Sequence, residues 1–514
     1  MRILMLDKNW LIDRRISLFV RSLQNMGHDL RCLYVQPPAE RWERTQIDCE
    51  AIAFPYEDKG LEATGSGIFA RPAHVREVHH PGSADPRYQL GQQHEVAELL
   101  SEKYKDDGLM NFLQMAIQAP DVLREQLRSS NVMLPIRAPV SLILALLAAP
   151  RGLIKPRANS NEIQLLNLKS AGGQPFDHWD KQVVQYGLTQ WQPDLICAND
   201  YLCLRSALQI KKMLGVPVIY DAHELYSYQP TVAHMLAKKM FAEEMAMVKH
   251  IDGMITVNEQ HLRIVKRDSK YKGISATCPN ATSQPDGFDI RKRYNYIRSR
   301  ASIPENHKIM IFQGGINKYR RIDFLLKGMA ASRVRDVHMV FLTFGAEVES
   351  FRDLADSLGI GARVHFLPMV PWDEVVFWAA SADVGVMPYQ ATDQNTAISS
   401  PNKMYEFIVS GTPMIGSSDL VNVRDIVGGN GFGITQPLRS ISDYSQIIER
   451  IFDSDAGGPN RFRQALINKH EQFDWAHQSL NALELYEQII PIATKKALRN
   501  KRRREDALER FATA

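Results

Sequence analysis

Runs of apolar residues alternate along the chain with segments whose apolar side chains recur at helical spacing. At the start, residues 2–6 are largely apolar, residues 15–26 carry apolar side chains three or four positions apart, and residues 29–35 are apolar again. Gly27 ends the helical segment, as glycine commonly does just beyond a helix. This order predicts a strand, a helix and a strand, the opening of a parallel βαβ unit.

The same alternation then forms two blocks, separated by a polar segment at about residues 282–307. Strands are predicted at 194–197, 216–220, 253–257, 308–312, 338–344, 363–366, 383–387 and 413–415, and helices at 201–214 and 231–250. Repeated alternation of this kind is typical of open parallel sheets with helices on both faces. The predicted fold class is therefore α/β, with two Rossmann-like doubly wound domains that face each other across a cleft.

The length of 514 residues requires more than one domain, because single hydrophobic cores stop growing at roughly 250–300 residues. The predicted parts are an N-terminal domain at 1–300, a C-terminal domain at 301–475, a closing helix at 476–490 and a basic tail at 491–514. The N-terminal domain contains a less regular, elaborated region at 36–180. Helices near 93–104 and 109–128 are predicted inside that region.

Composition and charge exclude several classes of protein. Hydrophobic residues make up 45% and charged residues 23% of the chain, as in ordinary globular domains, and no apolar run reaches the length of a membrane span. Asp7 ends the first apolar run too early for a signal peptide. The five cysteines form no CxxC pair, which argues against a metal knuckle or a disulfide framework and favours a reducing cytoplasm. Residues 491–514 hold eight Lys or Arg against three acids, so the positive charge belongs to the tail and not to a nucleic-acid-binding body.

A glycine-rich loop follows the strand predicted at 308–312. Gly314 and Gly315 come directly after this strand, and Arg320 and Arg321 stand near the start of the next helix. Glycine lets the backbone approach a ligand closely, while a helix N-terminus and arginines suit an anionic phosphate. The loop therefore indicates a phosphate site, and the alternative is a tight turn with two solvated arginines.

The stretch SSPNKMYEFIVSGTPMIGSS, residues 399–418, predicts a helix that leads into a buried strand. Ser399, Ser400 and Asn402 lie at the helix start, where free N–H groups would face the cleft. Lys403 and Glu406 share one face of this helix. A carboxylate among apolar residues needs hydrogen-bond donors, which the hydroxyls of a ribose or a lysine would supply. The alternative is a Lys403–Glu406 pair on the surface.

A third group of polar residues follows the strand predicted at 216–220. Asp221, His223 and Glu224 leave its carboxyl end together, which makes them a candidate acid–base or substrate-orienting cluster. A helix-capping aspartate beside a structural histidine explains the same residues. Asp13 and Arg15, at the start of the first helix, join Asp221 and Glu224 as candidate acceptor-side residues.

Taken together, these segments resemble the retaining GT-B glycosyltransferases of family 4, also called glycosyl transferases group 1. The segments that carry the resemblance are YDAHEL, the glycine-rich loop, HFLPMVPWDEVVFWAASADVGVMPY and SPNKMYEFIVSGTPMI, and they follow the family's order. The resemblance runs from residue 1 to about residue 490 and is weakest at 36–180. It implies a nucleotide sugar, UDP- or GDP-linked, as the donor substrate, with no cofactor and no metal.

The resemblance also implies roles for individual residues. Glu406 would bind the ribose of the donor, Arg320 stands where the family has its diphosphate-binding lysine, and His223 matches the histidine near the donor sugar. His223 and Arg320 are therefore the expected catalytic residues. The backbone between Phe366 and Met369 would meet the base. The turn at 399–402 would meet the sugar and phosphates, together with Gly314, Gly315, Arg321 and Lys403.

Two positions depart from the family pattern, since Ile398 replaces an acid and Gly315 replaces an arginine. The first expected function is an enzyme that transfers a sugar from a nucleotide to a glycan or a lipid-linked acceptor, in surface polysaccharide biosynthesis. The departures keep open a catalytically weak GT-B-fold subunit that binds a partner or scaffolds an assembly. A nucleotide-sugar epimerase on the same fold would need more acids and histidines in the cleft than the sequence supplies.

Two segments suggest contact with a membrane surface. Residues 138–150 are apolar and lie between prolines, with basic residues on both sides as far as position 157. This pattern fits an interfacial segment, and it equally fits a buried helix. The basic tail fits attraction to anionic lipid or a solvated charged helix. The expected localisation is cytoplasmic, with peripheral attachment at the inner membrane face and no nucleic-acid partner.

Overall fold

The computed structural model describes residues 1–9, 13–35, 49–54, 177–229, 232 and 234–499 of the chain. The helices predicted near 93–104 and 109–128, the apolar run at 138–150 and most of the basic tail lie outside these residues. Within the described residues, the chain forms two parallel sheets with helices packed against them. None of the helices described is long and apolar enough to cross a membrane.

The first sheet has seven parallel strands in the order β3-β2-β1-β4-β5-β6-β7. The strands are β1 (Arg2–Asp7), β2 (Asp29–Val35), β3 (Glu50–Phe54), β4 (Leu195–Asn199), β5 (Val218–Ala222), β6 (Gly253–Thr256) and β7 (Ile274–Thr277). The helices between them are α1 (Arg14–Asn25), α2 (His178–Thr189), α3 (Asp200–Leu214), α4 (His234–Val248) and α5 (Glu259–Ser269). We call these elements together the first lobe.

The second sheet has six parallel strands in the order β10-β9-β8-β11-β12-β13. The strands are β8 (Lys308–Gln313), β9 (Val337–Thr343), β10 (Val364–Pro368), β11 (Val384–Met387), β12 (Met414–Ser417) and β13 (Gly433–Gln436). The helices are α6 (Tyr296–Ala301), α7 (Ile322–Ala331), α8 (Val348–Ser357), α9 (Val375–Ala380), α10 (Gln394–Ala397), α11 (Asn402–Ser410), α12 (Val421–Val423), α13 (Ile441–Phe452) and α14 (Asn460–Lys469). These elements form the second lobe, and α15 (Trp475–Gln478) and α16 (Leu480–Arg499) follow it.

Every strand predicted from the apolar runs overlaps an observed strand. The pattern missed three strands, β3, β7 and β13, and each of them lies at an edge of its sheet. Edge strands are only partly covered, so their sequences lack the continuous apolar run that marks a buried parallel strand. The helix predicted at 231–250 begins later, at His234, and the last helix continues past Pro491 to Arg499, beyond the end predicted for it.

The final helix, α16, packs against the first lobe although it follows the second lobe in the chain. The hydroxyl of Tyr486 lies 3.1 Å from the Sγ of Cys197 in β4. Gly253 in β6 has no Cβ, and a Cβ there would lie 2.3 Å from the Cδ1 of Ile489. Just before α16, the Nε1 of Trp475 donates a hydrogen bond of 3.0 Å to the Oγ of Ser22 in α1. The segment from Trp475 to Ile489, which follows the second lobe in the chain, thus packs against the first lobe and links the two lobes.

Candidate functional site

In both sheets, the strand order reverses beside the first strand, between β1 and β4 and between β8 and β11. The connections that leave the two strands at such a point run to opposite faces of the sheet. A crevice therefore opens beyond the carboxyl ends of the strands, and this is where ligands bind in open α/β sheets. The polar residues predicted from sequence gather around these two points.

Two cationic side chains of the second lobe converge on Tyr389, which lies just beyond β11. The guanidinium carbon of Arg320 is 4.9 Å and the Nζ of Lys403 is 5.1 Å from the centroid of the Tyr389 ring. Lys403 also lies 4.9 Å from the ring centroid of Phe312 in β8. In the part of the chain that the structure describes, no carboxylate lies within ion-pair distance of either cation. Two like charges held together without an acid create a positive potential that favours an anion.

The loop after β8 has a backbone that requires glycine at its first position. Gly314 has a φ of 117°, a region that side-chain-bearing residues rarely adopt. Its carbonyl accepts a hydrogen bond of 2.8 Å from the Oγ1 of Thr343. At Gly315, a Cβ would lie 3.2 Å from the ring of Phe344, which is 58% exposed. The Phe344 ring therefore takes the space beside position 315, where the family pattern expects an arginine.

Glu406 lies one turn beyond Lys403 on α11, but it pairs with other residues. Its Oε1 accepts a hydrogen bond from Arg14 in α1, and its Oε2 accepts one from the Nε2 of Gln313 at the end of β8. The side chains of Arg14 and Glu406 are 12% and 11% exposed. Protein donors thus offset the cost of burying this carboxylate, and one of them comes from the first lobe. The surface pair between Lys403 and Glu406, the alternative from sequence, is not the arrangement found.

The turn before α11 is held by asparagine side chains. Asn258, which follows β6 in the first lobe, donates a hydrogen bond of 2.7 Å to the carbonyl of Ile398. Asn422 donates to the same carbonyl at 2.8 Å. Asn280 donates to the carbonyl of Ser400 at 3.1 Å. These bonds fix the backbone of the predicted sugar- and phosphate-binding turn through its carbonyl groups. The N–H of Ser399 donates to the carbonyl of Thr396 at 3.2 Å, so the candidate donors of this turn are the N–H groups of Ser400 and Asn402.

Arg321 and Asn402 lie apart from the two cations. The guanidinium carbon of Arg321 lies 3.9 Å from the ring centroid of Phe324, not over Tyr389. Arg321 therefore does not join Arg320 and Lys403, although the sequence grouped all three. Pro401 takes the cap position of α11, and Asn402 is an exposed first residue of the helix, with Ser399 two positions before the cap.

The segment assigned to the base lies at the edge of the second sheet. Phe366, in the edge strand β10, stacks on Phe341 of β9 with ring centroids 5.0 Å apart. The guanidinium carbon of Arg352 lies 5.1 Å from the ring centroid of Phe366. Met369 follows β10 and is 37% exposed. The ring of Phe366 is therefore taken up by packing, and base contacts in this segment stay a prediction about its backbone and about Met369.

In the first lobe, three polar residues form one row across the strand reversal. Asp7 lies beside Asn199 in the pairing of β1 with β4, and Asn199 lies beside Asp221 in the pairing of β4 with β5. All three are buried. Burial raises the pKa of Asp7 to about 7, and one of its carboxylate oxygens has no hydrogen-bond partner among the described residues. The polar row marks the floor of the first-lobe crevice.

Arg15 and Asp221 are partners of each other. Arg15 bonds both oxygens of the Asp221 carboxylate, at 2.9 and 2.8 Å, and donates to the carbonyl of Cys278 at 2.6 Å. Both side chains are buried, so this bidentate pair attaches α1 to β5 and to the chain leaving β7. Asp13 is the N-cap of α1, and its Oδ1 accepts from the backbone N–H of Arg15 at 2.7 Å. These three candidate acceptor-side residues therefore have positioning contacts within the protein.

His223 lies between two carboxylates. Its Nδ1 is 3.5 Å from Asp200 and its Nε2 is 3.4 Å from Asp221, while its backbone N–H donates to Asp200 at 2.9 Å. Burial alone would lower the pKa of His223, but the two carboxylates raise it to about 10. His223 is therefore an imidazolium at neutral pH. In this state it donates hydrogen bonds and stabilises negative charge, and it does not accept a proton.

Glu224 connects the first lobe to the second. Its Oε2 accepts a hydrogen bond of 3.0 Å from the Nδ2 of Asn395 in α10, and the Oδ1 of Asn395 accepts from the backbone N–H of Leu225 at 2.9 Å. Burial and the charge of Asp200 raise the pKa of Glu224 to about 7, although the nearby charge of Arg320 opposes this. Glu224 therefore lies close to the expected diphosphate-binding arginine and titrates near neutral pH.

We expect His223 to make the stability of the protein fall as the pH rises. Its pKa in the folded protein, about 10, exceeds the unfolded value of about 6.5. Its contribution is therefore fully present below pH 6.5 and is lost as the pH rises through about 10. Thermal unfolding measured between pH 6.5 and 10 should show this loss in the wild type and a flatter profile in His223→Gln.

The matched control for this prediction is His338→Gln. Burial and the neighbouring His365 lower the pKa of His338 to about 4, so it is neutral throughout the same pH window. His338→Gln should lower stability by a constant amount and leave the pH profile unchanged. An identical profile for the wild type and His223→Gln would contradict the assignment of a protonated His223.

Sequence reasoning missed several residues of this site, among them Arg14, Asp200, Gln313, Tyr389 and Asn395. Tyr389 ends the quoted stretch ASADVGVMPY and follows β11 by two positions, so its place beyond a central strand was a usable signal. Gln313, the last residue of β8, offered the same signal. Arg14 and Asn395 carried no comparable signal, because their partners are 392 and 171 residues away.

Comparison with known proteins finds one matching family model and several similar folds. Residues 295–472 match the family model described as glycosyl transferases group 1. D-inositol 3-phosphate glycosyltransferase of Corynebacterium aurimucosum is 22% identical over 317 residues, which cover 58% of this chain and 72% of that protein. Sucrose-phosphate synthase from Thermosynechococcus elongatus has a similar structure, with a TM-score of 0.57 at 13% identity, covering 96% of this chain and 100% of that one. Anabaena HepE in complex with UDP and glucose gives a TM-score of 0.57 at 12% identity, covering 95% and 100%. The predicted GT-B fold is confirmed.

Proposed function

We propose that this GT-B chain, whose residues 295–472 belong to the glycosyl transferases group 1 family, transfers a sugar from a nucleotide-sugar donor to a glycan or a lipid-linked acceptor, with retention of configuration. The observation that carries the proposal is the convergence of Arg320 and Lys403 on Tyr389 with no carboxylate partner among the described residues. This cationic pair lies where the strand order of the second sheet reverses, the usual place for a nucleotide.

The proposed role of Arg320 and Lys403 is electrostatic. When a sugar leaves a nucleoside diphosphate, the bond between the sugar C1 and the phosphate oxygen breaks and its electron pair remains on the phosphate. Cations placed in advance beside that oxygen stabilise the growing charge more in the transition state than in the bound donor. Arg320 reaches the site from the turn before α7, and Lys403 reaches it from the first turn of α11.

Glu406 is the proposed ligand of the ribose, and the structure adds a condition to that role. Its two oxygens already accept hydrogen bonds from Arg14 and Gln313. A carboxylate oxygen can accept more than one hydrogen bond, so a ribose hydroxyl can join these donors or replace Arg14. Binding of the donor is therefore coupled to the contact between α1 and α11.

The sugar transfer itself follows from charge and geometry. The acceptor oxygen forms a bond to the sugar C1 on the face that the phosphate leaves, and the acceptor proton passes to an oxygen of the departing phosphate. His223, as an imidazolium, donates a hydrogen bond to the donor sugar or to the phosphate. A closed contact between the lobes through Asn395 and Glu224 limits water at the reacting carbon.

The acceptor belongs, in this proposal, to the first lobe. Asp7, with its buried and unpartnered carboxylate oxygen, and Glu224 lie near His223 at the strand ends and can orient a hydroxyl group. Membrane contact through residues 138–157 and the basic tail, and a place in surface polysaccharide synthesis, stay predictions from the sequence. Residues 138–157 and most of the basic tail lie outside the described part of the chain.

One observation favours a second function, a GT-B-fold subunit that binds a nucleotide sugar or a partner with little catalysis. The carboxylate expected to hold the ribose is occupied by protein donors, and two positions, Ile398 and Gly315, lack the charged residues of the family pattern. The two functions differ in turnover and not in fold. A direct assay therefore separates them.

The experiment combines binding with turnover. UDP-glucose is tested first, because HepE is a similar fold solved with UDP and glucose, followed by other UDP-, GDP- and ADP-sugars. Thermal stabilisation by one donor together with its slow hydrolysis supports the transferase. Stabilisation without any hydrolysis or transfer supports the binding subunit. Failure of every nucleotide sugar to bind would contradict the transferase and would leave only a subunit that binds a partner.

A further inference from the structure

Tyr389 is a buried residue with an unusual hydroxyl group. The residue is 4% exposed, and its hydroxyl has no hydrogen-bond partner among the residues that the structure describes. Other buried tyrosines give their hydroxyls to protein acceptors: Tyr220 to Glu244 at 2.7 Å, Tyr444 to the carbonyl of Pro388 at 2.5 Å, and Tyr486 to Cys197 at 3.1 Å. Leaving a buried hydroxyl unpaired is costly, so it requires an explanation.

The ring of Tyr389 lies beside two cations that have no ion-pair partner among the described residues. Arg320 and Lys403 lie 4.9 and 5.1 Å from its centroid, within the range of cation–π attraction. Two cations repel each other, and a shared electron-rich ring reduces that repulsion in the absence of an acid. Phe312 supports the arrangement, since its ring lies 6.3 Å from Tyr389 edge to face and 4.9 Å from Lys403. Arg320 and Lys403 thus both lie beside one buried ring.

The position of Tyr389 in the fold agrees with a ligand contact. It follows β11, and β11 pairs with β8 at the point where the strand order of the second sheet reverses. A nucleotide in an open α/β sheet binds beyond the strands at this point. A carboxylate partner for the hydroxyl would have neutralised the cations, whereas an anionic ligand satisfies the hydroxyl and both cations together.

We propose that Tyr389 is a further donor-binding residue, whose ring positions Arg320 and Lys403 and whose hydroxyl donates a hydrogen bond to the diphosphate of the donor. This inference rests on the proposed function and adds a residue to the same site. The ligand class is a pyrophosphate group, free or within a nucleoside diphosphate. We expect no contact between Tyr389 and the nucleoside part of the donor.

The test compares Tyr389→Phe, which keeps the ring and removes only the hydroxyl, with the wild type. Binding of inorganic pyrophosphate, UDP and GDP is measured by titration calorimetry, and uridine and guanosine serve as ligands without phosphate. We expect Tyr389→Phe to weaken pyrophosphate and the preferred nucleoside diphosphate by roughly 10–100-fold, the usual effect of a hydrogen bond to a charged group. Nucleoside binding should not change. Tyr389→Leu, which also removes the ring, should weaken the phosphate ligands further.

Thermal unfolding separates this role from a structural one. Tyr389→Phe removes an unpaired buried hydroxyl, so its unfolding temperature should equal or exceed that of the wild type. The matched control is Tyr220→Phe, which removes a hydroxyl bonded to Glu244; it should unfold at a lower temperature and bind pyrophosphate normally. Unchanged affinity of Tyr389→Phe for pyrophosphate and for the nucleoside diphosphate would overturn the inference while the transferase stands. Suppose instead that Tyr389→Phe binds pyrophosphate more weakly, but the wild type turns over no nucleotide sugar. This result would support the inference and contradict the proposed function.

Discussion

Replacement of Arg320 by alanine is expected to lower sugar transfer by about 10²–10³-fold, the usual effect of removing one preorganised group that stabilises transition-state charge. The physical reason is that Arg320 and Lys403 are the cations that converge on Tyr389 beyond β11. Lys403 alone would leave much of the negative charge on the departing phosphate unbalanced. The measurement is kcat and kcat/KM with the donor identified in the nucleotide-sugar panel.

The same substitution should leave the fold unchanged. Arg320 is exposed and makes no ion pair in the described part of the chain, so its removal should change stability by about 0.5 kcal/mol or less. The matched control is Lys327→Ala on the following helix α7, where the Nζ lies 3.7 Å from Asp323. This variant loses a cation from the helix that follows Arg320 and should transfer sugar normally. Near-normal turnover by Arg320→Ala would remove the electrostatic part of the mechanism.

The second large effect is expected at the contact between Arg14 and Glu406. Replacing Arg14 by methionine leaves a buried carboxylate with only the amide of Gln313, and removing one partner of a buried pair costs about 3–5 kcal/mol. Glu406→Gln removes the charge itself and should also weaken donor binding, because the proposed contact with the ribose loses a charged acceptor. Urea unfolding gives the stability of each variant, and titration with the nucleoside diphosphate gives its affinity.

A double-mutant cycle distinguishes the two roles of Glu406. Arg14→Met combined with Glu406→Gln should be less destabilised than the sum of the single variants, because residues in contact are not independent. Donor affinity should stay low in the double variant. Arg333→Met is the control, since its pair with Glu449 is exposed and should contribute about 1 kcal/mol or less. Full additivity of the two substitutions would mean that α1 and α11 do not meet through this pair in solution.

The strand reversal in each sheet explains why some candidates came together and others did not. Gly314, Arg320 and Lys403 follow or face central strands, and the fold brings them to one crevice. Phe366 and Met369 belong to β10 at the sheet edge, so they lie at the periphery. Arg321 is the neighbour of Arg320 in sequence, yet its side chain packs on Phe324. Adjacent positions in a turn point in different directions, which sequence proximity does not reveal.

His223 illustrates how the environment changes the chemistry of a residue that sequence identified. The cluster Asp221, His223 and Glu224 was expected to be an acid–base or substrate-orienting site, with a capping aspartate beside a structural histidine as the alternative. In the structure, Asp221 pairs with Arg15, and Glu224 accepts a hydrogen bond from Asn395. The carboxylates of Asp200 and Asp221 keep His223 protonated by raising its pKa. Asp200 was not among the candidates, because it belongs to a different strand connection. A pKa depends on neighbours in space, and those neighbours come from distant parts of the chain.

The sequence by itself determined the parallel α/β architecture and the local start of the helix that carries Lys403 and Glu406. These features depend on the spacing of apolar residues and on glycine and proline, which act over a few neighbouring positions. Only the tertiary structure decided that Arg14 meets Glu406 across 392 residues, that Tyr389 lies under two cations, and that Phe344 lies beside Gly315. Such contacts depend on how the strands are ordered and how the lobes pack, because side chains far apart in sequence meet only when the whole backbone has folded.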